Sequence, residues 1–335
     1  MAERRDAILK AIKAAHKLHL DLGVRARLER SNGGRVDVFG AIGELGATLM
    51  FQPLDKLLGA YVPAEEPGIL ITTKRPLSIQ RFTAAHELGH LYMNHQSSLD
   101  DQGILGRAPF SPAKGLALQE LEADAFASMF LAPAWLVALI VRRQGWAPER
   151  LADPATAYQL SLRLGTSYAA TCHVLERHKA IKREQLKHLL SVEPKAIKRA
   201  LLHGHEPPDW RSDVWLLTDR DEGLVVEGGR HDLFVVQLPE NSSAGYLWNF
   251  DALKAEGFAL VADDHEGDTA RAGAMVTRKI TAQASGRVSR AVTFREQRPW
   301  MPEEALKEFH LQYELRGPEE PGMWEPDLMR VLQAA

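Results

Sequence analysis

The sequence predicts an α+β protein, with a mainly helical first part followed by a smaller all-β region. Three observations support this. Apolar residues recur at helical spacing through most of residues 1–205, interrupted by two short β-like runs. Gly204-His205-Glu206-Pro207-Pro208 then reads as a linker. Beyond it, Trp215-Leu216-Leu217, Leu224-Val225-Val226, Leu233-Phe234-Val235-Val236 and Val292-Thr293-Phe294 are β-rich runs punctuated by Gly and Pro, spaced as in a small sandwich. The 335 residues are divided accordingly into 1–135, a helical segment 136–205, a linker 206–212, a β region 213–318 and a tail 319–335.

In order, the pattern predicts a helix over 6–22, a turn at Asn32-Gly33-Gly34, and a short helix over 36–45. A strand over 47–51 is stopped by Pro53, and another over 68–73 is stopped by Pro76. Ser78 is expected to cap a helix running to about Met93. Residues 96–115, rich in Gly, Pro, Ser and Asp, read as a loop before a helix over 116–131. From 134 to 205 the pattern is helical, with breaks near Gly145, Pro148, Pro154, Gly165 and Pro194.

A formal net charge of −3 gives no global basic bias toward nucleic acid. The single cysteine, Cys172, excludes an intrachain disulfide framework and a Cys-rich metal site, and it reads as a buried, inert thiol. The first residues lack the apolar core and cleavage site of a signal peptide. The longest apolar run, 125–141, is shorter than the ~20 residues of a membrane span and is interrupted by Pro133. A cytoplasmic protein that does not engage a membrane is expected.

His86-Glu87-Leu88-Gly89-His90 places two imidazoles one turn apart on one helix face, a spacing that suits a zinc ion. Glu87 is expected to reach a metal-bound water as general base. A catalytic zinc needs a third protein ligand, and the next helix offers Glu120 and Glu122. Residues two apart on a helix point in nearly opposite directions, so only one of these can face the metal. Asp124 shares the face of Glu120 and can accept the other ring N–H of a ligand histidine, which favours Glu120 and leaves Glu122 as the alternative. His95, five residues beyond His90, is expected off the ligand face as a surface or loop histidine.

In these residues the sequence resembles the ImmA/IrrE family of metallopeptidases. Gln80-Arg81-Phe82-Thr83-Ala84-Ala85-His86-Glu87-Leu88-Gly89-His90-Leu91 is similar to that family's active-site helix. The segment from Glu120 through Glu122-Ala123-Asp124 and Phe126-Ala127 to Leu131-Ala132-Pro133 is similar to its third-ligand helix. The resemblance covers about residues 10–200. It implies a zincin-like fold, a bound Zn²⁺, and a strand, here 68–73, that lines up extended substrate. It also implies a regulatory substrate, a helix-turn-helix repressor relieved during stress or mobile-element induction. The alternatives are a regulator that sequesters its partner without cleaving it, and a peptidase inhibitor acting through the C-terminal region.

Tyr158 to Ala170, with Gly165 between two helical stretches, has the pattern of a helix-turn-helix unit, and basic residues follow from Arg177 to Arg199. It reads either as a docking surface for a repressor or as a solvated helical face, with direct DNA binding disfavoured by the acidic overall charge.

In the β region, Leu238-Pro239-Glu240-Asn241-Ser242-Ser243-Ala244-Gly245-Tyr246-Leu247-Trp248 and the segment from Gly286 to Arg298-Pro299-Trp300 resemble two loops of chagasin-like cysteine-peptidase inhibitors. That resemblance covers about 212–317 and implies an immunoglobulin-like sandwich. Its partner-binding loops would present Asn241, Gly245, Tyr246, Arg298, Pro299 and Trp300 to a peptidase or another protein. The chain departs from the family pattern at Ser242-Ser243-Ala244 and in the stretch 302–307 after Trp300.

Overall fold

Ala7, Ala11, Ala15 and Leu18 recur every three or four residues, so the first helix, α1 (Ala2–Asp21), buries a narrow stripe of mostly small side chains. The computed structural model describes residues 2–96, 98–101, 117–267, 276–284 and 288–334. Two short helices follow α1, α2 (Val24–Ser31) and α3 (Val38–Glu44). Three strands come next: β1 (Thr48–Gln52), β2 (Leu57–Val62) and β3 (Gly68–Thr72). Helix α4 (Leu77–Tyr92) crosses β2 and β3, and β4 (Ser98–Asp101) pairs outside β2. Helix α5 (Leu118–Leu131) packs against both α1 and α4. With the C-terminal strand β13 (Gly322–Met323) the sheet order is β13-β1-β3-β2-β4, parallel only between β1 and β3.

The helical segment continues as α6 (Ala134–Gln144), α7 (Pro154–Leu164), α8 (Tyr168–Arg177), α9 (Arg183–Ser191) and α10 (Pro194–Leu201). The stretch Leu118–Gln144 is long and apolar enough to cross a membrane, but 78% of its most apolar window is buried inside the protein, as core helices broken at Pro133. Cys172 is buried, and burial pushes its thiol up to about 12, so it is held as the unreactive thiol.

The β region holds β5 (Val214–Thr218), β6 (Val225–Gly229), β7 (Leu233–Glu240), β8 (Leu247–Asn249), the short α11 (Asp251–Ala255), β9 (Ala259–Glu266), β10 (Val276–Gln283), β11 (Val288–Arg298) and β12 (Met301–Arg316). They form two four-stranded sheets, β5-β7-β10-β9 and β6-β12-β11-β8. Phe258 joins their inner faces: its ring lies 5.9 Å from Phe234 on β7 and 5.3 Å from Tyr313 on β12.

Two devices fasten this region to the helical part. Side chains of α7 cover the free edge of β5. Gln159 donates to Val214 O and accepts from Leu216 N, both at 2.8 Å, and Tyr158 donates to Asp213 at 2.8 Å. Arg163 donates to Leu216 O and to the buried Asp221, which also accepts from Gln144. The other device is residues 319–334, set out above as a tail. Here β13 pairs with β1, Asp327 on α12 (Glu325–Ala334) accepts from Leu49 N at 2.9 Å, and Gln80 accepts from Glu319 N at 2.8 Å.

The structure differs from the sequence reading at several elements. Helix α4 begins at Leu77 with Pro76 as its cap, not Ser78, because the Pro76 carbonyl already accepts from Ile79 N and Gln80 N. Elements α2 and β2 were not expected; Gly59 breaks the apolar run of β2, and α2 is short and strongly polar. Within the expected loop 96–115, residues 98–101 form β4, and 102–115 lie outside the described residues, as do Gly286 and Arg287 of the chagasin-like segment.

Candidate metal centre

The donor atoms of His86, His90 and Glu120 all lie within 4.8 Å of one another. His86 Nε2 is 3.0 Å from His90 Nε2 and 3.3 Å from Glu120 Oε2, while His90 Nε2 is 3.7 Å from Glu120 Oε1. A tetrahedral zinc with ligands at about 2.0–2.1 Å keeps its donors about 3.3–3.4 Å apart, so the set fits such an ion. Two neutral imidazoles and one carboxylate are also the donor types that zinc takes.

Helix α4 supplies both histidines one turn apart, and α5 supplies the carboxylate from its first turn. Gly89 sets their approach. A Cβ there would come within 3.1 Å of Phe126 and 3.3 Å of Ala123 Cα, so its hydrogen side chain lets the two helices close to ligation distance. Asp124 Oδ1 faces His86 Nδ1 at 3.0 Å. A carboxylate oxygen only accepts, so this contact favours the Nδ1–H tautomer and makes His86 Nε2 the atom that would ligate a metal. Glu122 is turned elsewhere: its carboxylate accepts from Lys10 Nζ at 2.9 and 3.2 Å and from His95 Nε2 at 2.8 Å.

Glu87 is fully buried beside His86 and lies against β2 at Gly59, where a Cβ would sit 2.9 Å from its Oε1 and 2.5 Å from Thr83 Cγ2. The missing side chain makes the space that the carboxylate occupies.

Strand β3, expected to line up substrate, is bonded to β1 on one side and β2 on the other, so its backbone has no free edge to offer. On that side of the sheet the outermost strand is β4.

His95 lies in the loop after α4 and outside the cluster of His86, His90 and Glu120, as expected, but it is not at the surface. Its side chain is 7% exposed, and its Nδ1 lies 3.0 Å from His90 Nδ1. A helix continuing past His90 would carry a residue five positions on away from that ring. Instead α4 ends at Tyr92, Asn94 takes a left-handed conformation with φ 55°, and His95 N folds back to donate to His90 O at 2.9 Å. An asparagine just past a helix end is the sequence signal for that turn.

The turn at Gly165 has φ 67° and joins α7 to α8 as the helix-turn-helix pattern implied. Residues 156–164 of α7 are buried, and α8 exposes Ala169 and Arg177 beside half-buried Ala170, His173 and Glu176. That face is not a basic stripe.

At one end of the β region the two expected loops meet. Asn241 donates its backbone and side-chain N–H to the buried Glu296, at 2.6 and 2.9 Å. Gly245, at φ 81°, lies under Trp300, whose ring would be 2.7 Å from a Cβ there. The Arg298 guanidinium stands 4.5 Å over the Tyr246 ring, Pro299 is exposed at the turn, and Trp300 is 68% exposed. Residues 302–307 form the distal part of β12.

A model of the IrrE N-terminal-like domain, a peptidase M78 family, matches residues 42–176, and a model of the chagasin family of peptidase inhibitors matches residues 229–313. Among solved structures, a cysteine protease inhibitor from Entamoeba histolytica is 21% identical, with a TM-score of 0.27, over 32% of this chain and 100% of its own. Amebosin is 18% identical, with a TM-score of 0.27, over 31% of this chain and 98% of its own. A transcriptional regulator from Mycobacterium tuberculosis is 13% identical, with a TM-score of 0.30, over 84% of this chain and 79% of its own. No curated protein matches the sequence.

Proposed function

We propose that this chain, which carries an IrrE-like metallopeptidase domain at 42–176 and a chagasin-family domain at 229–313, is a zinc-dependent endopeptidase that cleaves a regulatory protein. A helix-turn-helix repressor is the proposed substrate. The observation that carries this reading is the convergence of His86, His90 and Glu120 with Glu87 on the same helix turn. A zinc ion held there supplies Lewis acidity toward a peptide carbonyl and water. Glu87 takes the proton of the attacking water onto a carboxylate oxygen and delivers it to the leaving amine. Asp124 keeps the His86 ring oriented while this occurs. The buried setting of Glu87 strengthens its electrostatic coupling to the reacting groups.

We take the β region as an immunoglobulin-like sandwich whose loop end, with Tyr246, Arg298 and Trp300, binds a protein, and a papain-like peptidase is the sharpest candidate. The proposed compartment is the cytoplasm, where a single buried thiol needs no oxidising environment.

The test is to incubate the zinc-loaded protein with a candidate helix-turn-helix repressor, alongside Glu87→Gln. Fragments are expected only with the unaltered protein, while both forms hold zinc and bind the repressor. Repressor release by Glu87→Gln without cleavage would establish sequestration instead, and an intact repressor in both reactions would refute this substrate.

A further inference from the structure

A chain of hydrogen bonds runs outward from His90 through a ring that lies beyond the end of its helix. His90 Nδ1 is 3.0 Å from His95 Nδ1, and His95 Nε2 is 2.8 Å from Glu122 Oε2. Lys10 on α1 holds the same carboxylate at 2.9 and 3.2 Å.

The protons along this chain can be counted. A carboxylate paired with a lysine accepts only, so His95 Nε2 is the donor to Glu122. When His95 is neutral its ring carries one N–H, so its Nδ1 is then an acceptor. His90 Nδ1 must then donate to it, because the opposite arrangement sets two lone pairs against each other at 3.0 Å. His90 Nε2 is left with its lone pair toward His86 and Glu120; it then faces the His86 Nε2 lone pair at 3.0 Å, an approach that a cation between the two nitrogens would relieve and the orientation a ligand requires.

We propose that His95 is a positioning residue: it fixes the tautomer and rotation of His90 for metal binding, and Glu122 in turn fixes His95. The two ligand histidines are thus set by separate means, His86 by a carboxylate directly and His90 by a carboxylate acting through a second imidazole. Glu122, carried by the same helix as Glu120, serves the centre from outside the ligand set. The fold-back at Asn94 brings His95 within reach, and Lys10 ties α1 to the same group. This inference rests on the zinc reading above.

The test compares the full-length protein with His95→Phe and His95→Gln. Phenylalanine keeps a flat ring but neither accepts from His90 nor donates to Glu122, whereas glutamine can do both. Zinc affinity is measured by chelator competition, and the His90 tautomer by nitrogen NMR of the metal-free protein. His95→Phe is expected to weaken zinc about ten- to hundredfold and to let His90 sample the Nε2–H form. His95→Gln is expected to retain most of the affinity and the Nδ1–H form. Equal zinc affinity in all three, or equal losses in both variants, overturns the positioning role. Nitrogen shifts showing His90 already in the Nε2–H form in the unaltered protein also overturn it. Failure of the unaltered protein to bind zinc would instead remove the zinc reading itself.

Discussion

Replacing Gly59 with alanine should disturb Glu87, the proposed general base, while sparing the proposed metal ligands. The new Cβ would stand 2.5 Å from Thr83 Cγ2, 2.9 Å from Glu87 Oε1 and 3.0 Å from Leu70 O. Carbon contacts settle near 3.5–4.0 Å, so Thr83 must retreat by about 1 Å and the Glu87 oxygen by roughly half that. Overpacking of this kind costs about 1–3 kcal/mol of stability. A misplacement of about 1 Å can cost on the order of a hundredfold in rate, so half that at the Glu87 carboxylate should cost roughly tenfold. The proposed ligands His86, His90 and Glu120 are not among the close contacts, so zinc affinity should hold. The assay is repressor cleavage at saturating zinc, with urea unfolding and chelator competition run on the same preparations. Undiminished cleavage by a folded, zinc-loaded Gly59→Ala protein would refute the placing of Glu87 as base against β2.

Other expectations follow from buried groups and the exposed loop end. His19 donates Nε2–H to Phe130 O, and burial holds its pKa down at about 4. The unfolded imidazole, near 6.5, therefore binds more protons than the folded one as pH falls from 6.5 to 4. Stability should fall by about 3 kcal/mol over that window, and His19→Gln should flatten this limb in urea titrations at stepped pH. Asp221→Ala leaves Arg163 buried without its carboxylate and should cost about 3–5 kcal/mol, read from the urea midpoint. Trp300→Ala should change stability by less than about 0.5 kcal/mol, because the ring is mostly exposed. It should weaken inhibition of papain by the full chain at least about thirtyfold, the loss of a central aromatic anchor; a chain that leaves papain fully active would contradict that role.

The parts of the fold and site that local spacing determines were legible in the sequence. His86 and His90 share a face because four residues make about one helical turn, and Asp124 follows Glu120 on the same principle. The β-rich runs marked four strands of the C-terminal region, β5, β6, β7 and β11, through their apolar residues and the turn residues between them. What escaped depends on contacts distant in sequence or on a break in helical geometry. Lys10 reaches Glu122 across 112 positions, and Asp327 reaches Leu49 across 278, so neither leaves a local pattern. The burial of His95 against His90 escaped because it depends on Asn94 reversing the chain just past Tyr92. Gly59 interrupted the apolar run that would have announced β2, yet that interruption is what accommodates Glu87.

The most direct measurement is the zinc content of the purified protein and of two variants, Glu120→Ala and Glu122→Ala, after equilibration with excess zinc and gel filtration. The account predicts about one ion per chain in the unaltered protein, loss of the ion in Glu120→Ala, and retention with weakened affinity in Glu122→Ala. A chain that carries no zinc, or one that loses it through Glu122→Ala while Glu120→Ala keeps it, would contradict the centre described.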